Sequence, residues 1–223
     1  MKTKSRSINQ IIEDQFKKWN AQTFTEKESQ LRPVITISRE PGSGGEIIAT
    51  KLSEALGFDL FHQKVIHEMS QAAKTSAALF ETLDEKGLNT LENWISSLVN
   101  DRHLWPDAYL QHLMKLVGTI GKHGRAVIVG RGANFILPSK GLLRIRVIAP
   151  LEDRIRHVAE YFKVPEKKAK LRILQTESDR RAFIRKYFHA DISDPHQYDL
   201  IVNTGSYSLD AAVKIIQTTL PLL

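Results

Sequence analysis

Short apolar segments alternate with longer amphipathic ones along most of the chain. The stronger short segments have five to seven residues rich in branched apolar side chains, which is typical of parallel strands buried on both faces. A weaker segment, FDLF at 58–61, completes a set of five. This alternation predicts an α/β fold in which helices cover both faces of one parallel sheet, with the first strand central. The four stronger segments are VITIS (34–38), AVIVG (126–130), LRIRVIA (143–149) and DLIVN (199–203).

Helical periodicity fills the gaps between these strands. Two groups of helices form insertions, one at about 64–122 and one at about 164–190. Ligands of open α/β sheets bind at the carboxyl ends of the strands, so both insertions must leave from or return to that edge. Both are therefore candidate lids over a ligand site. The predicted helices cover residues 44–56, 64–78, 91–100, 108–122, 151–162, 166–188 and 209–220.

The first 31 residues are predicted to form an extension outside the main domain, which we place at 32–223. Apolar residues of this extension recur at spacings of three and four, which predicts one short amphipathic helix. A chain of 223 residues is long enough for one well-buried core and short for two. The apolar residues of the predicted helix are Ile8, Ile11, Ile12, Phe16 and Trp19.

Several absences in the sequence limit the classes of protein to consider. No run of about 18 apolar residues is present, and the basic start leads into a mixed-charge segment instead of a secretion signal. We therefore expect a cytoplasmic protein that does not contact a membrane. The chain has no cysteine, which excludes disulfides, a thiolate nucleophile and cysteine-ligated metals. The eight histidines lack the H-E-x-x-H spacing, so zinc is not expected.

The positive charge of the chain is concentrated in one segment. The formal net charge is +7, and residues 144–186 alone contain 13 basic and 6 acidic side chains. A local excess indicates a local anionic partner, with a solvated helix face as the alternative for any single lysine. A nucleic-acid-binding module ranks last, because the basic segment lacks interleaved aromatic residues and a helix-turn-helix pattern.

The segment after the first strand, REPGSGG at 39–45, has the composition of a phosphate-binding turn. Its glycines remove the side chains that would block close approach of a phosphate to the backbone. The predicted helix that follows directs its N-terminal N–H groups at the same place. We therefore predict that Gly42, Ser43, Gly44 and Gly45 bind an anion, with a tight strand-to-helix turn as the alternative.

The same loop departs from the usual P-loop pattern, G-x-x-x-x-G-K-[ST]. Gly44 matches the second glycine, but Gly45 stands at the lysine and Glu46 at the hydroxyl residue. A carboxylate there favours the helix through its dipole, yet it repels a nearby phosphate unless Mg²⁺ or an arginine lies between them. Arg39, at the end of the strand, is the nearest cation that could replace the lysine.

Five sequence blocks occur in order: ITISREPGSGG (35–45), IVGRGANFIL (128–137), RVIAPLEDRI (146–155), ESDRRAFIRKYF (177–188) and YDLIVNTG (198–205). Together they resemble the cytidylate kinase-like family of P-loop proteins. The resemblance implies a nucleoside-monophosphate-kinase-like three-layer fold with a five-stranded parallel sheet and a mobile helical lid. It also implies ATP-dependent phosphorylation of a small nucleotide such as CMP, with ATP and Mg²⁺ as cofactors. Related sequences usually have a basic residue at the position of Glu46 and tend to have aspartate at that of His62.

Arginines near the strand ends carry most of the predicted chemistry, because phosphoryl transfer needs two phosphates held in line and positive charge over the transferring group. Arg131 follows the strand at 126–130 and should emerge at the carboxyl edge, although it could instead pair with a carboxylate. By resemblance, Arg131 contacts the acceptor phosphate, and Arg180 and Arg181 are lid arginines that close over the transferred group. A solvated helix face is the alternative for these last two.

Arg154, which begins the helix after the fourth strand, and His62 are further candidates for substrate binding. The resulting hypothesis is an enzyme that moves the γ-phosphoryl group of Mg·ATP to CMP, dCMP or a similar small nucleotide. The alternative is a nucleotide-binding regulatory protein of the same fold with weak or no turnover. Gly45, Glu46 and His62 favour that alternative, because each departs from an expected residue.

Overall fold

The computed structural model describes residues 8–20, 33–71 and 82–220. Five strands form one sheet in which every neighbouring pair is parallel. They are β1 (Val34–Arg39), β2 (Asp59–Phe61), β3 (Ala126–Val129), β4 (Leu142–Ile148) and β5 (Leu200–Asn203). The order across the sheet is β2-β3-β1-β4-β5, so the prediction of a parallel sheet with the first strand at its centre is confirmed.

The connections within the described residues contain nine α-helices and one 3-10 turn, Pro195–Gln197. None of these helices is both long enough and apolar enough to cross a bilayer. The helices are α1 (Ile8–Asn20), α2 (Gly45–Leu56), α3 (Gln63–Gln71), α4 (Glu85–Asp101), α5 (Ala108–His123), α6 (Ala133–Ile136), α7 (Leu151–Phe162), α8 (Glu166–Phe188) and α9 (Leu209–Thr219).

The predicted helices are present, with differences at their ends. The helix predicted at 64–78 is described as far as Gln71, and its remaining residues lie outside the described part. Helix α4 begins six residues before the predicted start, because the Asp84 side chain caps it by accepting a hydrogen bond from the Gly87 N–H at 2.9 Å. Helix α6 and the 3-10 turn are too short to show a periodicity that predicts them.

The sheet is buried between two layers of helices, which confirms the predicted three-layer fold. Successive strand residues face opposite layers. Val34 and Ile128 pack with α3, α5 and the end of α8, whereas Ile35 and Val127 pack with α2 and α9. Because both faces of the sheet are covered, neighbouring positions in a strand are equally apolar.

Helix α8 belongs to two parts of the fold. Near its C-terminus, Ile184 and Phe188 are buried in the domain core. Near its N-terminus, Ala169 and Ile173 pack with α7 in a small separate cluster. The predicted lid segment, 164–190, is therefore helical over most of its length and anchored to the core at its C-terminal end.

Helix α1 packs against the edge of the sheet. Trp19 is buried, and its ring stacks on His123 of α5 with the centroids 4.2 Å apart. Lys18 Nζ lies 2.6 Å from Asp59 Oδ1 on the edge strand β2. Of the predicted apolar residues of this helix, Trp19 is the one whose side chain is described, and the other four side chains lie outside the described part. The predicted extension thus contacts the domain through Trp19, Lys18 and Gln15, whose Nε2 donates to Asp59 Oδ2 at 3.1 Å.

Candidate functional site

The turn between β1 and α2, residues 40–45, lies at the carboxyl edge of the sheet, and we call it the glycine loop. Gly42 and Gly44 have left-handed backbone conformations, with φ of 84° and 79°. Among the described residues, no acceptor meets the N–H groups of Gly42, Gly44 or Gly45. Free N–H groups in such a turn, at the N-terminus of a helix, form a concavity that binds anions.

The carbonyl groups of the glycine loop are hydrogen-bonded to the surrounding protein. Gly42 O lies 3.0 Å from His157 Nδ1, and Ser43 O accepts a hydrogen bond from Thr204 Oγ1 at 2.9 Å. The Ser43 hydroxyl is buried and donates to the carbonyl oxygen of Glu40 at 2.9 Å. The Ser43 N–H also donates to the Glu40 carbonyl oxygen, at 3.3 Å, so both the backbone and the side chain of Ser43 hold the turn together.

Residue 45 is a glycine because the Arg39 side chain fills the space beside it. A Cβ atom at Gly45 would lie 2.5 Å from the Arg39 Cβ, closer than non-bonded carbon atoms approach. Arg39 and a side chain at residue 45 therefore exclude each other. Contact with the Arg39 side chain therefore explains why residue 45 is not the lysine of the usual P-loop pattern.

The guanidinium of Arg39 is held by two side chains. Arg39 is 7% exposed, and its Nε and Nη2 atoms donate to Glu46 Oε1 at 3.1 and 2.5 Å. Nη2 also donates to Gln63 Oε1 at 2.8 Å. Burial, reinforced by the charge of Arg131, lowers the pKa of Arg39, while Glu46 acts to raise it. The cation predicted to replace the lysine is thus already paired with a carboxylate.

The carboxylate of Glu46 has a second partner, His62, whose Nδ1 lies 2.9 Å from Oε2. Partial burial alone would raise the pKa of Glu46. Hydrogen bonds and charge interactions with His62 and Arg39 outweigh that effect and lower the pKa to about 2. Glu46 is therefore ionised at neutral pH, with both oxygens engaged by donors.

Two cavities lie beside the glycine loop. The larger, of about 1060 Å³, is lined by the glycine loop, His62 and the α7–α8 hairpin, and we call it the loop cavity. The smaller, of about 340 Å³, is lined by Arg131 and by α8, and we call it the arginine cavity. Arg39, Thr176 and Arg180 line both. These three residues therefore lie at the boundary between the two cavities, where ligands bound in the two cavities would be adjacent.

Arg131 emerges at the carboxyl end of β3, as its position in the sequence predicts. Gly130, Arg131 and Gly132 all have left-handed conformations, with φ of 75°, 54° and 68°. The Nε atom of Arg131 and the Nδ2 atom of Asn134 are buried without a hydrogen-bond partner among the described residues. Both residues line the arginine cavity. Unpaired buried donors are rare, so these two indicate a site for an acceptor-rich ligand.

The two adjacent arginines of α8 have different environments. Arg180 lines both cavities, and its Nη1 donates to the carbonyl oxygen of Arg39 at 2.7 Å. Burial and then the charge of Arg39 lower the pKa of Arg180. Arg181 is exposed and lies close enough to Asp191 for its charge to lower the pKa of that carboxyl. The fold therefore brings Arg180 to the cavities and leaves Arg181 on the surface.

Arg154 lies behind the glycine loop. Its Nε donates to the carbonyl oxygen of Ala149 at 2.9 Å and lies 3.4 Å from Glu40 Oε2. Its Nη1 donates to Glu177 Oε1 of α8 at 2.5 Å. Arg154 lines neither cavity, although its backbone packs against Gly42, so the structure places it as a link between the glycine loop, α7 and α8.

Three further residues of the site have no sequence pattern that predicts a role. Gln63 follows His62 and orients Arg39 from the arginine cavity, which Asn134 and Thr176 also line. Each is an uncharged polar residue inside a helix or at its start, where most such residues face solvent. Asn134 lies within the sequence block at 128–137. Its place in that block is the one sequence feature that could have indicated a role for any of the three.

Comparison with known proteins places the chain among kinases. The profile of the cytidylate kinase-like family matches residues 34–206. A cytidylate kinase of Methanopyrus kandleri is 27% identical over 201 residues, covering 85% of this chain and 94% of the relative. A cytidylate kinase of Aeropyrum pernix is 26% identical over 181 residues, covering 81% and 94%. An uncharacterised protein of Eubacterium ventriosum has a similar crystal structure, with a TM-score of 0.68, 21% identity and coverage of 86% and 99%. The chain belongs to the cytidylate kinase-like family.

Proposed function

We propose that this protein is an ATP-dependent nucleoside monophosphate kinase that transfers the γ-phosphoryl group of Mg·ATP to CMP, dCMP or a similar small nucleotide. The main support is that the loop cavity and the arginine cavity share Arg39 and Arg180. Phosphoryl transfer needs donor and acceptor phosphates held in line, with positive charge over the transferring group. The relatives named cytidylate kinase support the same class of reaction.

The donor nucleotide would occupy the loop cavity. Its phosphates would accept hydrogen bonds from the N–H groups of Gly42, Gly44 and Gly45 at the start of α2, where the helix dipole also favours negative charge. The cavity volume of about 1060 Å³ lies at the upper end of the range for small-molecule sites, about 300 to 1,000 Å³. Tyr161 and Tyr207 line its outer part and offer aromatic surface for a base.

The acceptor nucleotide would direct its phosphate into the arginine cavity. The unpaired Nε of Arg131 and Nδ2 of Asn134 would donate to that phosphate. Phe183 lies beside them, with its ring centroid 5.5 Å from the Arg131 guanidinium carbon. Charge-assisted hydrogen bonds to a phosphate are about twice as strong as neutral ones, so this cavity favours an anionic group over the sugar or base.

Mg²⁺ fits the loop cavity as a partner of the nucleotide. No group of three or more His, Asp or Glu side chains in the described residues could hold a metal ion alone. Mg²⁺ is usually bound by one or two carboxylates, waters and substrate phosphates. Glu40 lines the cavity, and its Oε2 accepts from the Ala149 N–H at 3.1 Å while Oε1 has no partner in the described residues. Glu40 would hold Mg²⁺, which neutralises phosphate charge when bound.

The proposed activity is tested with purified protein, Mg·ATP and a panel of acceptors: CMP, dCMP, UMP, AMP, GMP and dTMP. Products are separated by anion-exchange chromatography, so that ADP and the new diphosphate are both quantified. We expect stoichiometric ADP and CDP or dCDP. Arg131→Met serves as the matched negative control, because it removes the guanidinium and keeps an apolar stem. Formation of no diphosphate from any acceptor would contradict the proposed function.

A further inference from the structure

We infer that Glu46 is a positioning residue, which holds the Arg39 guanidinium between the two cavities in a fixed orientation before any nucleotide binds. This inference rests on the proposed function and deepens it. It gives a role in the reaction to a carboxylate that would otherwise be expected to repel the donor phosphates.

The contacts of Arg39 fix both the place and the rotation of its guanidinium. Two of its nitrogen atoms, Nε and Nη2, donate to the same oxygen of Glu46, and Nη2 also donates to Gln63. The third nitrogen, Nη1, lies over Gly130, where an added Cβ would be 2.5 Å away from it. Glu46 lines the loop cavity and Gln63 the arginine cavity, so the guanidinium is held from both sides.

The charges around Arg39 explain why a carboxylate is needed. Besides burial, the charge of Arg39 lowers the pKa of Arg180 and the charge of Arg131 lowers the pKa of Arg39, so Arg39 lies between two cations that repel it. A buried charge without a partner is strongly destabilising. Glu46 supplies the compensating charge at 2.5 Å and so allows Arg39 to stay between the cavities. A cation held in place beforehand needs no reorganisation during the reaction.

The position of Glu46 is itself fixed by His62. Nδ1 of His62 lies 2.9 Å from Oε2, the oxygen that Arg39 does not contact. With one oxygen held by Arg39 and the other by His62, the carboxylate cannot turn toward the glycine loop without breaking a contact. Repulsion of the donor phosphates is therefore reduced by the same pairs that orient Arg39.

The test compares Glu46→Ala and Glu46→Gln with Glu54→Ala. Glu54 is an exposed acid of the same helix that lines neither cavity, so its variant controls for loss of a negative charge from α2. We expect Glu46→Ala to lower kcat by about 10- to 100-fold at saturating concentrations of both substrates. KM for Mg·ATP should change much less. Glu46→Gln should recover part of kcat, because its amide oxygen still accepts from Arg39 but lacks the compensating charge. A lower KM with unchanged kcat in Glu46→Ala would mean that Glu46 only repels phosphate and would overturn the inference.

A second readout needs no turnover. The proton–nitrogen NMR signal of Arg39 Nε–H, assigned through its loss in Arg39→Lys, should exchange slowly with water in the wild type and in Glu54→Ala. In Glu46→Ala the exchange should become fast or the signal should disappear. Slow exchange retained in Glu46→Ala would overturn the inference even if the enzyme is active. If the wild type phosphorylates no acceptor, the proposed function fails while this measurement still decides whether Glu46 orients Arg39.

Discussion

Arg180 donates a hydrogen bond from Nη1 to the backbone carbonyl oxygen of Arg39, at 2.7 Å. This bond connects α8 directly to the end of the central strand. It also places the Arg180 guanidinium between the loop cavity and the arginine cavity. The guanidinium of Arg181, one residue later, is on the surface.

Replacing Arg180 by alanine should therefore lower kcat by about 100-fold, the effect of removing one preorganised donor from a transition state. Arg181→Ala removes the same charge from the same helix and should change kcat by less than about threefold, because surface substitutions have small effects. Steady-state kinetics with saturating Mg·ATP and CMP compare the two variants. Equal losses would show that the charge of α8 matters and the position of Arg180 does not.

The stability of the protein should depend on Glu46 in a defined pH range. The pKa of Glu46 is lowered from 4.5 to about 2, so its contribution to the free energy of unfolding is fully present above about 4.5. That contribution is lost as the pH falls through about 2. Urea unfolding of wild type and Glu46→Gln at several pH values should show a difference at pH 7 that shrinks between 4.5 and 2. A difference that stays constant would refute the ionic pairing.

Arg154 should matter for folding more than for substrate contact. Arg154→Met leaves the Glu40 and Glu177 carboxylates without their shared partner, and we expect a loss of roughly 2 to 4 kcal/mol in unfolding free energy. Arg156→Met, an exposed change in the same helix that breaks a pair with Asp153, should cost less than about 1 kcal/mol. Urea unfolding measures both. Comparable losses in the two variants would mean that the burial of Arg154 and its pairs adds nothing to the free energy of unfolding.

The lid should respond to nucleotide along part of its length. Hydrogen exchange in residues 166–180 should slow when a non-hydrolysable ATP analogue is added, because Arg172 and Arg180 line the loop cavity. Residues 181–188 should exchange slowly already, since Ile184 and Phe188 are buried in the core. Mass spectrometry of peptides resolves the two halves. Slowing confined to the C-terminal half would contradict this division.

The sheet was predictable because burial on both faces makes its strands continuous apolar runs. The start of α4 could not be predicted, because the first turn of this helix depends on the Asp84 cap and its apolar periodicity begins only later. Likewise, a helical pattern shows that Arg180 and Arg181 point about 100° apart. It cannot show which of the two faces the cavities, since that depends on how α8 docks.

The sequence predicted the arginines of the candidate site, but it did not predict which side chains pair with them. Arg39, Arg131 and Arg180 each stand at a position that the topology brings to the carboxyl edge of the sheet. The contact of Glu46 with both Arg39 and His62 joins side chains from β1, α2 and the start of α3. Such a contact depends on rotamers and on the space that Gly45 leaves for the Arg39 stem, neither of which a linear pattern contains.

The backbone conformation of Arg131 lowers the stability of the fold at a residue to which the proposed function gives a role in binding the acceptor phosphate. A non-glycine residue in the left-handed region costs roughly 1 to 2 kcal/mol, which asparagine largely escapes. With φ of 54° between two glycines, Arg131 carries that cost in every folded molecule. In a library selected only for heat resistance, we therefore expect asparagine to accumulate at residue 131 and the proposed phosphoryl transfer to be lost. Directed evolution of a more stable variant must then select for turnover at the same time.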